Sequence, residues 1–205
     1  MNIYKDQREW SDALIPTAVP SILQVLNLDP DVWDIYETTP EQDMNEAADL
    51  VLTNGIEVYK IAYRIRNGSY INKYPYDFTV RRQYTKGYKT EYEKILADGF
   101  ADFMFYGFRL NNKIVRWVFI LLDAYRAEHY QDENGIWLPN KYLKYELLKN
   151  TDGINDFYGY DITSFKNKKI IIGHSLGYTE DVVTKILPGN VVWHEIKSLD
   201  LRLDK

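Results

Sequence analysis

The stretch "DLVLTNGIEVYKIAYRIR", Asp49 to Arg66, decides how this chain is read. Its two apolar runs, "DLVL" and "IEVYKIAYRIR", flank Thr53-Asn54-Gly55. An Asn-Gly pair between such runs is a strong hairpin signal, because both residues tolerate positive φ. The second run alternates with period two. Tyr59, Ile61, Tyr63 and Ile65 share one face, while Lys60, Ala62, Arg64 and Arg66 share the other. One face of this strand is basic.

Reading outward in both directions extends the pattern. Upstream, "TTPEQDMNEAAD" carries Thr39 as N-cap, Pro40 at the first helical position and Gln42 three residues on, which predicts a short helix to about Ala48. An acidic loop and the amphipathic "SILQVLNL" precede it. Downstream, "YDFTVRRQY" reads as a third strand. Thr90 and Glu93 then form a capping box on "KTEYEKILADG", whose Tyr88, Tyr92, Ile95 and Leu96 fall on one helix face. A fourth strand, "FADFMFYGF", leads into "NNKIVRWVFILLDAYRAEHY", a hairpin partner that finishes as a helix. Polar loops alternate thereafter with "KYLKYELLK", "FYGYDIT", "KKIII" and "NVVWHEIK". The expectation is a single α+β domain over 1–205, a mixed β-sheet flanked by helices, with a core at about 39–125 and a C-terminal α/β extension at about 131–205.

Composition narrows the functional classes. With 205 residues and 45% hydrophobic content the chain can bury a core, and disorder throughout is excluded. It has no cysteine, so disulfides, thiolate metal sites and a cysteine nucleophile are excluded, and a reducing compartment is compatible. The longest apolar run, "WVFILL", is too short to span a bilayer, and no signal sequence is read at the start, so the expected setting is cytoplasmic without a membrane partner. Eighteen tyrosines and five tryptophans suit binding surfaces as well as cores.

The net charge of −5 conceals a division. From Glu9 to Glu57 there is no lysine or arginine, while Glu9, Asp12, Asp29, Asp31, Asp34, Glu37, Glu41, Asp43, Glu46, Asp49 and Glu57 accumulate. From Lys60 to Lys94 the sign reverses, with Lys60, Arg64, Arg66, Lys73, Arg81, Arg82, Lys86, Lys89 and Lys94 against Asp77, Glu91 and Glu93. In "DFTVRRQY" the residues Asp77, Thr79, Arg81 and Gln83 alternate with Phe78, Val80, Arg82 and Tyr84. If this polar face adjoins that of the preceding strand, Arg64, Arg66 and Arg81 make a planar-donor surface matched to phosphates or carboxylates, bordered by Lys89 and Lys94. The alternative is that these arginines pair internally with Asp49, Asp77, Glu91 and Asp102.

Gly173-His174-Ser175-Leu176-Gly177 matches the nucleophile-elbow pattern of serine hydrolases, between a strand-like "KKIII" and a helix-like "TEDVVTKIL". Only 28 residues (205 − 177) follow it, too few for the further strand and helix units that deliver the acid and histidine, although Asp181, His194 and Glu195 are present. No His-Gly-Gly oxyanion loop lies upstream. His129, His174 and His194 lack metal-ligand spacing, and no calcium loop, phosphate-binding glycine loop or dinucleotide fingerprint occurs.

The order helix, three strands, helix, strand between Thr39 and Phe108 resembles the core of the PD-(D/E)XK nuclease-like superfamily, and "DLVLTNGIEVYK" is similar to its aspartate strand, turn and Glu-x-Lys strand. Through "DLVL", "IAYRIR", "DFTVRRQ", "KTEYEKI" and "ADFMFYGF" the chain also resembles small proteins encoded by tailed phages and prophages. The nuclease resemblance implies a restriction-endonuclease-like core and Mg²⁺-dependent phosphodiester hydrolysis on nucleic acid. Asp49 would match the metal-binding aspartate, Glu57 the second carboxylate, Lys60 the catalytic lysine and Glu46 an optional helix carboxylate. Glu57 and Lys60 stand three apart instead of two, so a regular strand sends them to opposite faces unless a bulge at Val58 or Tyr59 realigns them. The phage resemblance implies a different role, a non-catalytic accessory or anti-defence protein that binds a host protein or a phosphorylated ligand, in the host cytoplasm.

Overall fold

Asp49–Arg66 folds as the expected hairpin and occupies the middle of the principal sheet. The structure is a computed structural model that describes residues 11–71, 77–84, 89–149, 155–165 and 168–175. Helix α1 (Ile15–Leu26) is followed by β1 (Asp34–Glu37), α2 (Pro40–Glu46), β2 (Leu50–Thr53), β3 (Val58–Asn67) and β4 (Asp77–Tyr84). Then come α3 (Glu91–Glu93), which continues as a wider π turn over Lys94–Asp98, β5 (Phe103–Leu110), β6 (Lys113–Leu121) and α4 (Leu122–Arg126). Strands β7 (His129–Gln131), β8 (Trp137–Pro139), β9 (Tyr145–Lys149), β10 (Asn155–Asp161) and β11 (Ile171–His174) complete the described chain.

The β2–β3 turn shows why Asn-Gly stands there. Gly55 has φ +83°, and the Asn54 side-chain oxygen accepts the backbone N–H groups of Ile56 and Glu57 at 2.9 and 2.8 Å. Capping of α3 also follows the expectation: the Thr90 hydroxyl accepts from Glu93 N–H while the Glu93 carboxylate accepts from Thr90 N–H. Helix α1 is longer than "SILQVLNL" suggests. It begins at Ile15 with a proline in its first turn, where no N–H is needed, and ends at Asn27 in the left-handed conformation.

Six strands form the principal sheet in the order β1-β2-β3-β5-β6-β11. The β3–β5 pair is parallel and the other pairs are antiparallel, so the α+β class and the mixed sheet are as expected. The third strand of the expected run departs from it. Instead of extending the surface of β3, β4 pairs with β10 in a separate three-stranded sheet, β4-β10-β9. The physical reason is burial on both faces: β5 and β6 are apolar on both sides, and each side needs a cover. One side packs α1, with Ile15, Ala18 and Ile22 in the same cluster as Leu50, Ile61, Phe105 and Phe119. The other packs the small sheet, with Phe78, Val80, Tyr158 and Tyr160 in the same cluster as Ala62, Met104, Tyr106, Val118 and Ile120. Segments read as a C-terminal extension therefore complete both layers, β10 beside β4 and β11 beside β6.

Among the described residues no helix is long and apolar enough to cross a membrane. The helix expected over "TEDVVTKIL" and the strand over "NVVWHEIK" lie outside the described residues, as do Glu9, Lys73, Lys86, Tyr88, Asp181, His194 and Glu195.

Candidate functional site

The residues that the nuclease resemblance singles out are separated by the hairpin. Asp49 lies just before β2, Glu57 lies in the turn beyond its far end, and four residues of extended chain between them span about 13 Å. The register from Leu50↔Ile61 to Thr53↔Val58 is unbroken, so no bulge at Val58 or Tyr59 turns Glu57 toward the Lys60 face. Glu57 is exposed, and its carboxylate receives Asn54 Nδ2 at 3.4 Å. Lys60 Nζ pairs with Glu46 at 2.7 Å and lies 5.8 Å from the Phe100 ring centroid. Of the four candidates, the fold brings together Glu46 and Lys60.

Asp49 has a backbone partner. Where β3 outruns β2, the Tyr63 N–H would lose its ladder acceptor, and Asp49 Oδ2 takes that place at 2.7 Å. On the opposite side, where β3 outruns the start of β5, Asp102 Oδ2 accepts the Lys60 N–H at 2.7 Å. Asp102 N–H in turn donates to the Lys60 carbonyl. Two carboxylates thus finish the hydrogen bonding of one strand, as buried backbone donors require. Asp49, Glu57 and Lys60 do not converge on one point, and among the described residues no group of three or more His, Asp or Glu side chains is placed to hold a metal ion.

The basic face of β3 lies under the small sheet. Arg64 donates to the Thr79 carbonyl at 2.9 Å and pairs with Glu91. Arg66 pairs with Asp77 at 2.9 Å, donates to the Tyr106 hydroxyl at 3.2 Å and stacks on Tyr70. Burial pushes the Asp77 carboxyl above its usual range even though the Arg66 charge pulls it down, which marks how far this pair is removed from water. Arg64 and Arg66 of the expected phosphate surface accordingly belong to an inter-sheet polar network. Pairing with Asp77 and Glu91 occurs, whereas Asp49 and Asp102 hold backbone N–H groups of β3. Arg81 presents its backbone N–H to Glu91 at 3.4 Å, and its Nε is buried with no hydrogen-bond partner among the described residues. Lys89 forms an exposed pair with Asp98, and Lys94 lies in the π turn after α3.

Ser175 is also committed to the sheet. Its Oγ accepts the Trp117 N–H at 3.0 Å and its own N–H donates to the Trp117 carbonyl at 3.0 Å, so the hydroxyl extends the β11 ladder. Gly173 is required by α1: a Cβ there would stand 2.5 Å from Val25 Cγ2. Burial lowers the pKa of His174. A second buried cluster gathers around His129, whose Nδ1 donates to the Tyr125 carbonyl at 2.7 Å, so that Nε2, 3.0 Å from the Tyr160 hydroxyl, accepts. Burial lowers this histidine to about 4.

The N-terminal part of the described chain is acidic and largely exposed. From Ser11 to Glu57 there is no lysine or arginine. Here Asp29, Asp31, Asp34, Glu37, Glu41 and Glu57 are all exposed. Apolar side chains stand out among them: Ile56 is 92% exposed, Val32 57%, Tyr36 52% and Val58 52%. A shallow depression of ≈ 300 Å³ at the end of α1 is lined by Leu23, Gln24, Asn27, Leu28 and Asp29. Charge asymmetry was legible in the sequence. That Arg64 and Arg66 are covered follows only from where β4 goes.

Comparison with protein-family models, with curated proteins and with solved structures found no match.

Proposed function

We propose that this protein is a non-catalytic binding protein that engages a macromolecular partner through its acidic N-terminal face, in the accessory or anti-defence role that the phage resemblance implies. The observation that carries this reading is the allocation of charge: Arg64 and Arg66 are paired between the sheets, Asp49 and Asp102 hold backbone N–H groups, and exposed carboxylates share the segment up to Val58 with exposed apolar side chains. Such a mixture of one charge sign with apolar contacts favours a host protein of basic character over nucleic acid, whose phosphates the acidic face would repel. The likeness to a restriction-endonuclease-like core extends in this proposal to the β2–β3 hairpin and the parallel β5, and departs from it at β4.

The test has two arms. Calorimetric titration with Mg²⁺ and Mn²⁺ beside DNA and RNA cleavage assays should give neither saturable heat nor product. Cleavage that disappears in Asp49→Asn would restore the nuclease reading. In the second arm, cross-linking in host lysate should capture a partner that is lost when Ile56 and Val58 are both replaced by lysine. Equal capture by that variant would remove the acidic face from consideration.

A further inference from the structure

Strand β1 ends the principal sheet, and no strand pairs with its outer edge among the described residues. Its hydrogen-bonding direction follows from its neighbours. Thr38 N–H donates to the Asp49 carbonyl, and Tyr36 and Asp34 stand opposite Val51 and Thr53 in the same ladder. Strand alternation then turns the N–H and C=O groups of Ile35 and Glu37 outward. That edge is a template for one more strand.

The side chains define what can join it. Asp34 and Tyr36 project on the face away from α1, whereas Ile35 packs on the α1 side and Glu37 shares that side. Another copy of this edge would bring Asp34 and Glu37 against like charges, which argues against self-pairing. A strand with basic residues opposite Asp34 and Glu37, and apolar residues opposite Ile35 and Tyr36, would meet complementary groups at all four positions. Val32, exposed and two residues before β1, lies next in line for one flank.

Resting on the acidic-face reading above, we infer that β1 receives an extended segment of a basic partner protein by β-strand addition, with the four-residue pattern basic-apolar-apolar-basic. The pattern reads the same in both directions, so it holds for parallel or antiparallel addition.

The probe is the hexapeptide acetyl-Thr-Lys-Val-Val-Lys-Thr-amide, titrated into ¹⁵N-labelled full-length protein. Its control, acetyl-Thr-Val-Lys-Lys-Val-Thr-amide, has equal charge and composition but the inverted pattern. Saturable amide shifts centred on Ile35 and Glu37 are expected, with binding at least ten-fold weaker for the control. Glu37→Pro removes an outward N–H and leaves the β1–β2 ladder intact, so it should abolish binding without lowering the melting temperature. Glu37→Gln, which removes only charge, should weaken binding several-fold. Equal affinity for both peptides, or undiminished binding to Glu37→Pro, would overturn strand addition while leaving a purely electrostatic acidic face. No binding of the first peptide at millimolar concentration would also overturn it, whereas the acidic-face reading stands or falls separately on the cleavage and cross-linking experiments.

Discussion

Replacing Asp49 separates two roles that a carboxylate at this position can have. As a metal ligand, Asp49 would be disabled by Ala and Asn alike. As the acceptor for Tyr63 N–H it behaves differently, because asparagine keeps an oxygen at that position and alanine does not. The bond is 2.7 Å long and charge-assisted, and the donor belongs to a strand residue only 7% exposed. Loss of such a bond with the donor left unsatisfied costs about 1.5–3 kcal/mol. The amide replacement should cost about 1 kcal/mol or less, the difference between a charged and a neutral acceptor. For a chain of this size a urea m-value of about 2–3 kcal/mol/M converts the alanine effect into a midpoint shift of about 1 M. The assay is urea unfolding followed by tryptophan fluorescence and far-UV circular dichroism in parallel, so that coincident curves establish two-state behaviour. Equal midpoints for Asp49→Ala and Asp49→Asn, or an alanine variant within about 0.5 kcal/mol of wild type, would refute the backbone-acceptor role.

Arg126 donates to the carbonyls of Ile95, Gly99, Phe100 and Ala101, closing the π turn after α3, so Arg126→Ala should cost about 3 kcal/mol by thermal unfolding and Arg126→Lys, with one donor centre, should recover less than half of it. His129, held near 4 against an ordinary 6.5, is neutral in the fold while the unfolded chain takes up a proton below 6.5. The His129 contribution should therefore be full above pH 6.5 and fall by about 3 kcal/mol as the pH drops toward 4, and a His129→Gln variant should show a shallower slope in a pH series of urea midpoints, with the share of His174 remaining. Gly173→Ala should destabilise by about 1–3 kcal/mol through the collision with Val25, and the double variant Gly173→Ala/Val25→Ala should regain part of the loss in a double-mutant cycle.

The parts legible in the sequence are those governed by neighbours along the chain. The Asn54-Gly55 turn, the Thr90/Glu93 cap and the two-residue alternation of β3 all rest on local geometry, and each stands where the residues place it. What is not legible is pairing over distance. Nothing within "DFTVRRQY" says that its partner is Asn155–Asp161 instead of β3, and that choice determines whether Arg64 and Arg66 face solvent or Asp77 and Glu91. Asp49 shows the same limit in miniature. A carboxylate at the head of a strand looks alike whether it awaits a cation or replaces a missing carbonyl, and only the stagger between β2 and β3 distinguishes the two. Asp102 carried one readable cue, its place directly before the apolar run that begins at Phe103.

The pairing of β4 with β10 also imposes an order in time. Strands β1, β2, β3, β5 and β6 can assemble from residues up to Leu121, but β4 has no strand partner until Asp161 has been made, 84 residues (161 − 77) after Asp77. At a synthesis rate of about 5–20 residues per second that interval lasts about 4–17 s. During it the nascent chain would carry an unpaired strand and an uncovered sheet face bearing Arg64 and Arg66, a non-local closure that is expected to slow folding and to leave those two arginines open to solvent and chaperones until β10 arrives.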